Sequence, residues 1–186
     1  NIPFPQPLPI SVGNTPVSLD GVKLGDTWKV AVVTKNKRDY SLDIIDAEGN
    51  IETIELGSLS RGPNEIVAFD ANQDGRVDLL LLTRDKPMMM LQATDDSFIL
   101  LEDSDMGQFG LVRAASAENI AIIDIDGDNQ PELLIADDNF VRAVRYEPET
   151  ESSISPGWQV VQQVNLRDGE SKLVSLAVTE EKIIVA

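Results

Sequence analysis

Two stretches of alternating oxygen-bearing residues carry the clearest chemistry in the sequence. The first loop, residues 70–78, has at positions 1, 3, 5 and 9 the residues Asp70, Asn72, Asp74 and Asp78. The second loop, residues 124–132, lies 54 residues later and has at the same positions Asp124, Asp126, Asp128 and Glu132. Alternate residues of a tight loop can direct their side chains toward one point, so each loop predicts a cation site.

The ligand types indicate which cation. Four side chains, the backbone carbonyl at position 7 and water would supply about six or seven oxygen ligands, which suits Ca²⁺ better than Mg²⁺. The chain contains no His and no Cys, so it lacks the side chains that most often bind zinc and copper. We therefore expect two Ca²⁺ sites, one formed by Asp70, Asn72, Asp74, Arg76 (backbone) and Asp78, the other by Asp124, Asp126, Asp128, Gln130 (backbone) and Glu132.

Two other interpretations of the loops deserve comparison. The helix–loop–helix calcium motif shares their first half but needs Glu at position 12, where this chain has Leu81 or Ile135. A plain acidic turn in solvent is the second alternative. Two loops in register favour metal, because clustered carboxylates without a cation would repel one another and raise one another's pKa values.

The segments around the loops predict how they are positioned. Residues 66–82 and 120–136 align without a gap, and each places short apolar runs on both sides of its loop. Such runs are typical of strands, and no segment sustains a helical period. A repeat of about 54 residues with four strands indicates a β-propeller blade. We therefore expect an all-β chain.

The repeat predicts the organisation of the whole chain. We expect a Pro-rich linker or arm at 1–16, blades at about 17–58, 64–103 and 118–165, and a half blade at 173–186. These three and a half four-stranded blades would form part of a seven-bladed ring. The first and last units lack the acidic pattern, at 20–27 and 179–181. We also expect short strands at 17–19 and 111–114.

Composition excludes several classes of partner. The net charge of the 186 residues is −17, and two bound Ca²⁺ ions would leave it strongly negative, so nucleic acid and anionic membrane surfaces are unfavourable partners. No apolar run is long enough to insert into a membrane. With no Cys, the chain has no disulfides. It begins without Met or a charged leader, so we expect a processed or excised piece of a longer protein.

The two loops and their flanks resemble a known family. The segments VAFDANQDGRVDLLLL and AIIDIDGDNQPELLIA are similar to FG-GAP/VCBS repeats, the calcium-loop propeller blades also found in integrin α-subunit heads and bacterial surface proteins. Through the blade pattern the resemblance covers roughly residues 16–186. It implies Ca²⁺ in the loop between the first and second strands of a blade. Glu132 departs from the Asp that is usual at position 9 of the family's loop.

The expected function is a binding, adhesion or scaffolding module in a surface assembly, with structural Ca²⁺. Free cytosolic Ca²⁺ would leave such sites mostly empty, so an extracellular, cell-surface or periplasmic location follows. The resemblance also implies an alternative, the propeller domain of a polysaccharide lyase or hydrolase, although no nucleophile–base pair is recognisable. A third interpretation is a purely structural piece. The expected partners are an unidentified protein or carbohydrate, and further blades from a longer chain or a second copy.

Overall fold

The protein folds almost entirely into antiparallel strands. A computed structural model describes residues 13–83, 89–94, 97–148, 156–167, 172–173, 175–178 and 183–185. These contain three four-stranded sheets, each connected in simple sequential order, and one two-stranded sheet. The predicted all-β class and the four-stranded blades are confirmed, while ring closure and the number of blades stay predictions. Residues 1–12 of the expected linker and the expected loop 179–181 lie outside the described residues.

The strands follow one another as consecutive meanders. Sheet 1 contains β1 (Thr15–Leu24), β2 (Thr27–Asn36), β3 (Asp39–Ile45) and β4 (Ile51–Ser58). Sheet 2 contains β5 (Glu65–Phe69), β6 (Asp78–Leu82), β7 (Met89–Ala93) and β8 (Phe98–Leu101). Sheet 3 contains β9 (Ile120–Ile123), β10 (Glu132–Asp137), β11 (Phe140–Glu147) and β12 (Gly157–Asn165). Sheet 4 pairs β13 (Leu176–Val178) with β14 (Ile183–Val185).

Helix is nearly absent from these ranges. A short 3₁₀ helix, Phe109–Leu111, lies in the connection between sheets 2 and 3. The described part of the chain therefore offers no helix with the length and apolar character that crossing a membrane requires.

Three local expectations differ from the structure: the length of one strand, the extent of the loop after it and the presence of another strand. The strand expected at 17–19 extends over ten residues, and the loop expected at 20–27 shrinks to a turn at Gly25 and Asp26. Val22 explains the longer strand, because it is buried against sheet 2 while its neighbours pair with β2. The strand expected at 111–114 is absent, and the chain there leaves the 3₁₀ helix through turns. Val112 is fully buried between sheets 2 and 3, so packing outweighs strand pairing.

Face-to-face stacking of the sheets builds the core. Strand β6 is buried on both faces, with Leu79 and Leu81 toward sheet 1 and Leu80 and Leu82 toward sheet 3. Strand β10 of sheet 3 repeats this arrangement, with one face toward sheet 2 and the other toward sheet 4. Because successive side chains of a strand point to opposite faces, a strand buried on both sides must be apolar throughout. This requirement accounts for the uninterrupted apolar runs that follow both acidic loops.

The connection between sheets 2 and 3 is part of their interface. The Gly107 N–H donates to the Pro156 carbonyl (2.9 Å), and the Trp158 N–H donates to the Gly107 carbonyl (3.0 Å). The backbones of Gly107 and Gly157 approach so closely that a Cβ on Gly157 would overlap the Gly107 main chain. Met106, beside Gly107, is buried in the core between the two sheets. Glycine is therefore required here for lack of space.

One face of sheet 1 carries exposed apolar side chains, although Ile45, which lies between Val30 and Ile51, is buried. Residues Leu19 and Trp28 are 71% and 68% exposed, and Val30 and Ile51 on the same face are 43% and 41% exposed. We call this set the free face of sheet 1. The opposite face of the sheet packs on sheet 2.

We predict that Gly157→Ala destabilises the protein by about 1–3 kcal/mol, because the added methyl must displace backbone atoms in a packed interface. Urea unfolding monitored by tryptophan fluorescence measures the change, since Trp158 is fully buried next to the substitution. Gly110→Ala is the matched control, because a Cβ there meets nothing within 4 Å. Equal stability of the two variants would contradict the close approach.

Candidate metal centre

Both acidic loops occupy the same place in their sheets. The first loop joins β5 to β6, and the second joins β9 to β10. In each case position 9 is the first residue of the second strand. The structure therefore places the ten predicted ligand residues at equivalent ends of two adjacent, stacked sheets.

The first loop is held by its own carboxylates. Asp70 accepts the backbone N–H groups of Asp74 (3.0 Å) and Gly75 (2.7 Å). Asn72 Oδ1 accepts the same Asp74 N–H at 3.2 Å. Asp74 in turn accepts the Arg76 N–H at 2.9 Å and forms an ion pair with the Arg76 guanidinium at 3.0 Å. Positions 1, 3, 5 and 7 are thus connected in one network.

The second loop repeats this pattern with a closer group of charges. Its three aspartates accept backbone N–H groups at 2.7–3.2 Å, those of Gly127, Asp128, Asn129 and Gln130. Asp124, Asp126 and Asp128 each offer one carboxylate oxygen, and these oxygens lie within 4.8 Å of one another. Three carboxylate oxygens are therefore close enough to share one cation.

The two loops share a backbone conformation although their glycines differ. Positions 4 and 6 have positive φ in both, with values of 58° at Gln73, 87° at Gly75, 82° at Gly127 and 67° at Asn129. Glycine adopts this left-handed conformation without strain, and Asn tolerates it. Gln has no such preference, so the residue type of Gln73 did not predict its left-handed conformation. The common backbone shows that the loops are equivalent in geometry as well as in sequence.

Position 9 of the first loop is a fully buried carboxylate. Asp78 is 0% exposed and accepts the N–H groups of Ala71 (3.0 Å) and Ala93 (2.8 Å). Ala71 is position 2 of the loop, and Ala93 ends β7 in the same sheet. These bonds give both oxygens a partner that a buried charge requires.

The carboxylate at position 9 of the second loop is also fully buried, but one of its oxygens bonds outside its own loop. Glu132 is 0% exposed, and its Oε2 accepts the N–H of Ile125, at position 2, at 3.0 Å. Its Oε1 accepts the side-chain amide of Gln73, from the first loop, at 3.3 Å. The sequence pattern did not indicate Gln73 as a functional residue, because the contact crosses from one blade to the next.

Burial dominates the electrostatics of these two carboxylates. Burial raises the pKa of Asp78 to about 6, and the neighbouring charges of Asp74 and Asp70 add to the increase. Burial likewise raises the pKa of Glu132, with further contributions from the three aspartates of the second loop. The repulsion expected from the sequence is present, but it is the smaller cause. A cation between these groups would favour their charged forms.

The donor set fits a hard divalent cation. All the predicted ligands are oxygens of carboxylates, an amide or the backbone, which Ca²⁺ prefers. The loops differ at position 7, since the Arg76 guanidinium donates to one oxygen of Asp74 in the first loop. The second loop has Gln130 at the equivalent position.

Comparison with known families supports the repeat. Residues 70–135 match the FG-GAP-like repeat, beginning at position 1 of the first loop and ending on the strand after the second. The resemblance inferred from the two loops is confirmed over this segment. Together with the stacked four-stranded sheets, the FG-GAP-like repeat suggests a β-propeller-type module. No curated protein and no solved structure matches the chain.

In the calcium-free protein, we predict that the free energy of unfolding decreases as pH rises from about 4 to about 6. An unfolded Asp titrates near about 3.9, whereas the folded-state pKa of Asp78 is about 6. Between these values the folded protein binds a proton that the unfolded chain has lost. The resulting stabilisation, about 1–3 kcal/mol, is therefore complete below the lower value and absent above the higher one.

Urea unfolding in EDTA at a series of pH values measures this dependence. Asp78→Asn removes the titrating group and should flatten the curve, leaving only the slope from Glu132, which has the same sign. Stability of the unmodified protein that increases over this range would show that Asp78 is not protonated on folding.

Proposed function

We propose that the chain is a calcium-binding FG-GAP-like propeller module in which Ca²⁺ stabilises the fold, and that it serves binding, adhesion or scaffolding outside the cytoplasm. The observation that carries this proposal is the duplicated loop. Two nine-residue acidic loops have the same ligand positions and the same pair of left-handed residues, at the same end of adjacent sheets.

The residues of each loop have distinct tasks in this proposal. Positions 1, 3 and 5 present side-chain oxygens, while their hydrogen bonds to the loop backbone fix their orientation. Position 7 presents its carbonyl, and position 9 anchors the group to the second strand. When bound, Ca²⁺ supplies the positive charge that offsets the carboxylates. The loop would thereby connect the first two strands of the blade more tightly.

The location follows from the affinity expected for such a site. Oxygen-ligand calcium loops with a Kd on the order of 10 μM are filled at the millimolar Ca²⁺ outside cells and mostly empty in cytosol. FG-GAP repeats are typical of extracellular domains, which agrees with this argument. We therefore favour an extracellular, cell-surface or periplasmic setting.

Exposed apolar residues on the outer sheets support a blade as partner. Every described sheet packs at least one face on a neighbouring sheet, whereas the exposed residues of the free face of sheet 1 belong to none of the cores that the described residues form. At the other end, Ile184 of β14 is 53% exposed and lies opposite Ala177 of β13. A further blade, from a longer chain or a second copy, would continue the same sheet-on-sheet packing.

We predict that millimolar Ca²⁺ raises the melting temperature of EDTA-treated protein. At a free Ca²⁺ concentration 100-fold above Kd, each site adds about 2.7 kcal/mol. For a chain of this size the increase is about 5–10 °C per site. Differential scanning calorimetry measures it, and Asp74→Ala and Asp128→Ala should each remove about half.

Asp103→Ala is the control, because Asp103 is exposed and lies outside both loops. It should keep the full Ca²⁺-dependent increase. If Ca²⁺ leaves the melting temperature of the unmodified protein unchanged, the loops are plain acidic turns and the proposed location loses its support.

We also expect the isolated chain to associate through the free face of sheet 1. Light scattering after size-exclusion chromatography should show association that Trp28→Ser reduces, since this substitution removes the largest exposed apolar side chain of that face. Ile99→Ser, which replaces a 51% exposed residue of sheet 2, should have no effect. A chain that is monomeric at every concentration would exclude a second copy and leave only further blades of a longer protein.

A further inference from the structure

The two acidic loops are in contact across the boundary between their blades. The Gln73 side-chain amide donates to Glu132 Oε1 at 3.3 Å. Gln73 is position 4 of the first loop, directly between two predicted ligands, Asn72 and Asp74. Its left-handed backbone, with φ of 58°, belongs to the ligand-presenting conformation of that loop. Any event that orders the first loop therefore also fixes the group that contacts Glu132.

A second contact joins the first loop to sheet 3. The Tyr146 N–H, on β11, donates to the Ala71 carbonyl at 2.8 Å. The N–H of the same Ala71 is bound by the buried Asp78 carboxylate. Position 2 of the first loop is consequently held from both sides, by its own sheet and by the next. The backbone close to Gln73 is thus fixed by hydrogen bonds to both sheets.

The residue type at position 9 explains why the carboxylate of the second loop depends on a side chain of the first loop. Asp78 finds a backbone donor for each oxygen within sheet 2. Glu132 is one methylene longer, and only one of its oxygens is bound within its own loop. Its other oxygen depends on Gln73. Since Glu132 is fully buried, few other donors can replace that amide.

We propose that Gln73 is a positioning residue that couples the two calcium sites. Ca²⁺ in the first loop holds Gln73 between its ligands, and Gln73 orients the Glu132 carboxylate for the second loop. By thermodynamic linkage, Ca²⁺ in the second loop strengthens binding in the first by the same factor. This inference rests on the proposed function, because it requires that both loops bind Ca²⁺.

Isothermal titration of EDTA-treated protein with Ca²⁺ tests the coupling. Asp74→Ala isolates the second loop and Asp128→Ala isolates the first, so the product of their two affinities describes uncoupled sites. We expect the overall two-site affinity of the unmodified protein to exceed that product about fivefold or more. In the Gln73→Ala background, the same comparison should give a factor near one.

A further variant separates coupling from general disruption. Gln108→Ala is the matched control, because Gln108 is exposed, has a similar φ of 52° and makes no side-chain capping bond. It should keep the full coupling factor.

The outcomes distinguish this inference from the proposed function. Two binding loops whose affinities simply multiply in the unmodified protein would overturn the coupling and leave the calcium module intact. Coupling that persists in Gln73→Ala would overturn the assignment to this residue. Failure of either loop to bind Ca²⁺ in the unmodified protein would overturn the coupling, and failure of both would overturn the proposed function as well.

Discussion

A buried carboxylate at the start of the second strand is the interaction on which both loop-bearing blades depend. Asp78 and Glu132 have no exposed surface, and burying a charge is costly unless hydrogen bonds compensate. Each accepts the backbone N–H at position 2 of its own loop. That bond closes the loop over the strand ends and leaves positions 1, 3 and 5 on the open side. The same carboxylate is thus a structural anchor for the chain and, in the proposed function, a ligand.

Stacking of the sheets on one another forms the core of the protein. Strands β6 and β10 contribute to the cores on both of their faces, so neither sheet can bury its apolar residues alone. Repeat architectures in general obtain their stability from such neighbour contacts. This explains how a chain with a net charge of −17 keeps a continuous core. Strands β6 and β10 have charged residues only at their ends, and the residues between those ends are apolar.

The spacing of residues along the sequence predicted the features that lie within one blade. The D-x-[DN]-x-D spacing located both loops, and the apolar runs after Asp78 and Glu132 located β6 and β10. The length of β1 was missed because exposed Leu19 and buried Val22 belong to opposite faces of one strand, and only the position of sheet 2 decides which is covered. The contact between Gln73 and Glu132 was missed for a related reason. A repeat period defines each blade internally, but it contains no information on how far adjacent blades are rotated.

The connection between β8 and β9, whose Met106 and Val112 are buried between sheets 2 and 3, has a consequence for dividing this protein into parts. A cut after β8 would separate sheet 2 from Met106 and Val112, which complete its core with sheet 3. It would also separate the Ala71 carbonyl from the Tyr146 N–H that donates to it. A piece of the chain from Glu65 to Asn165 retains both loops, this connection and the core between sheets 2 and 3. A single 54-residue repeat, although obvious in the sequence, is not a separable piece of the molecule.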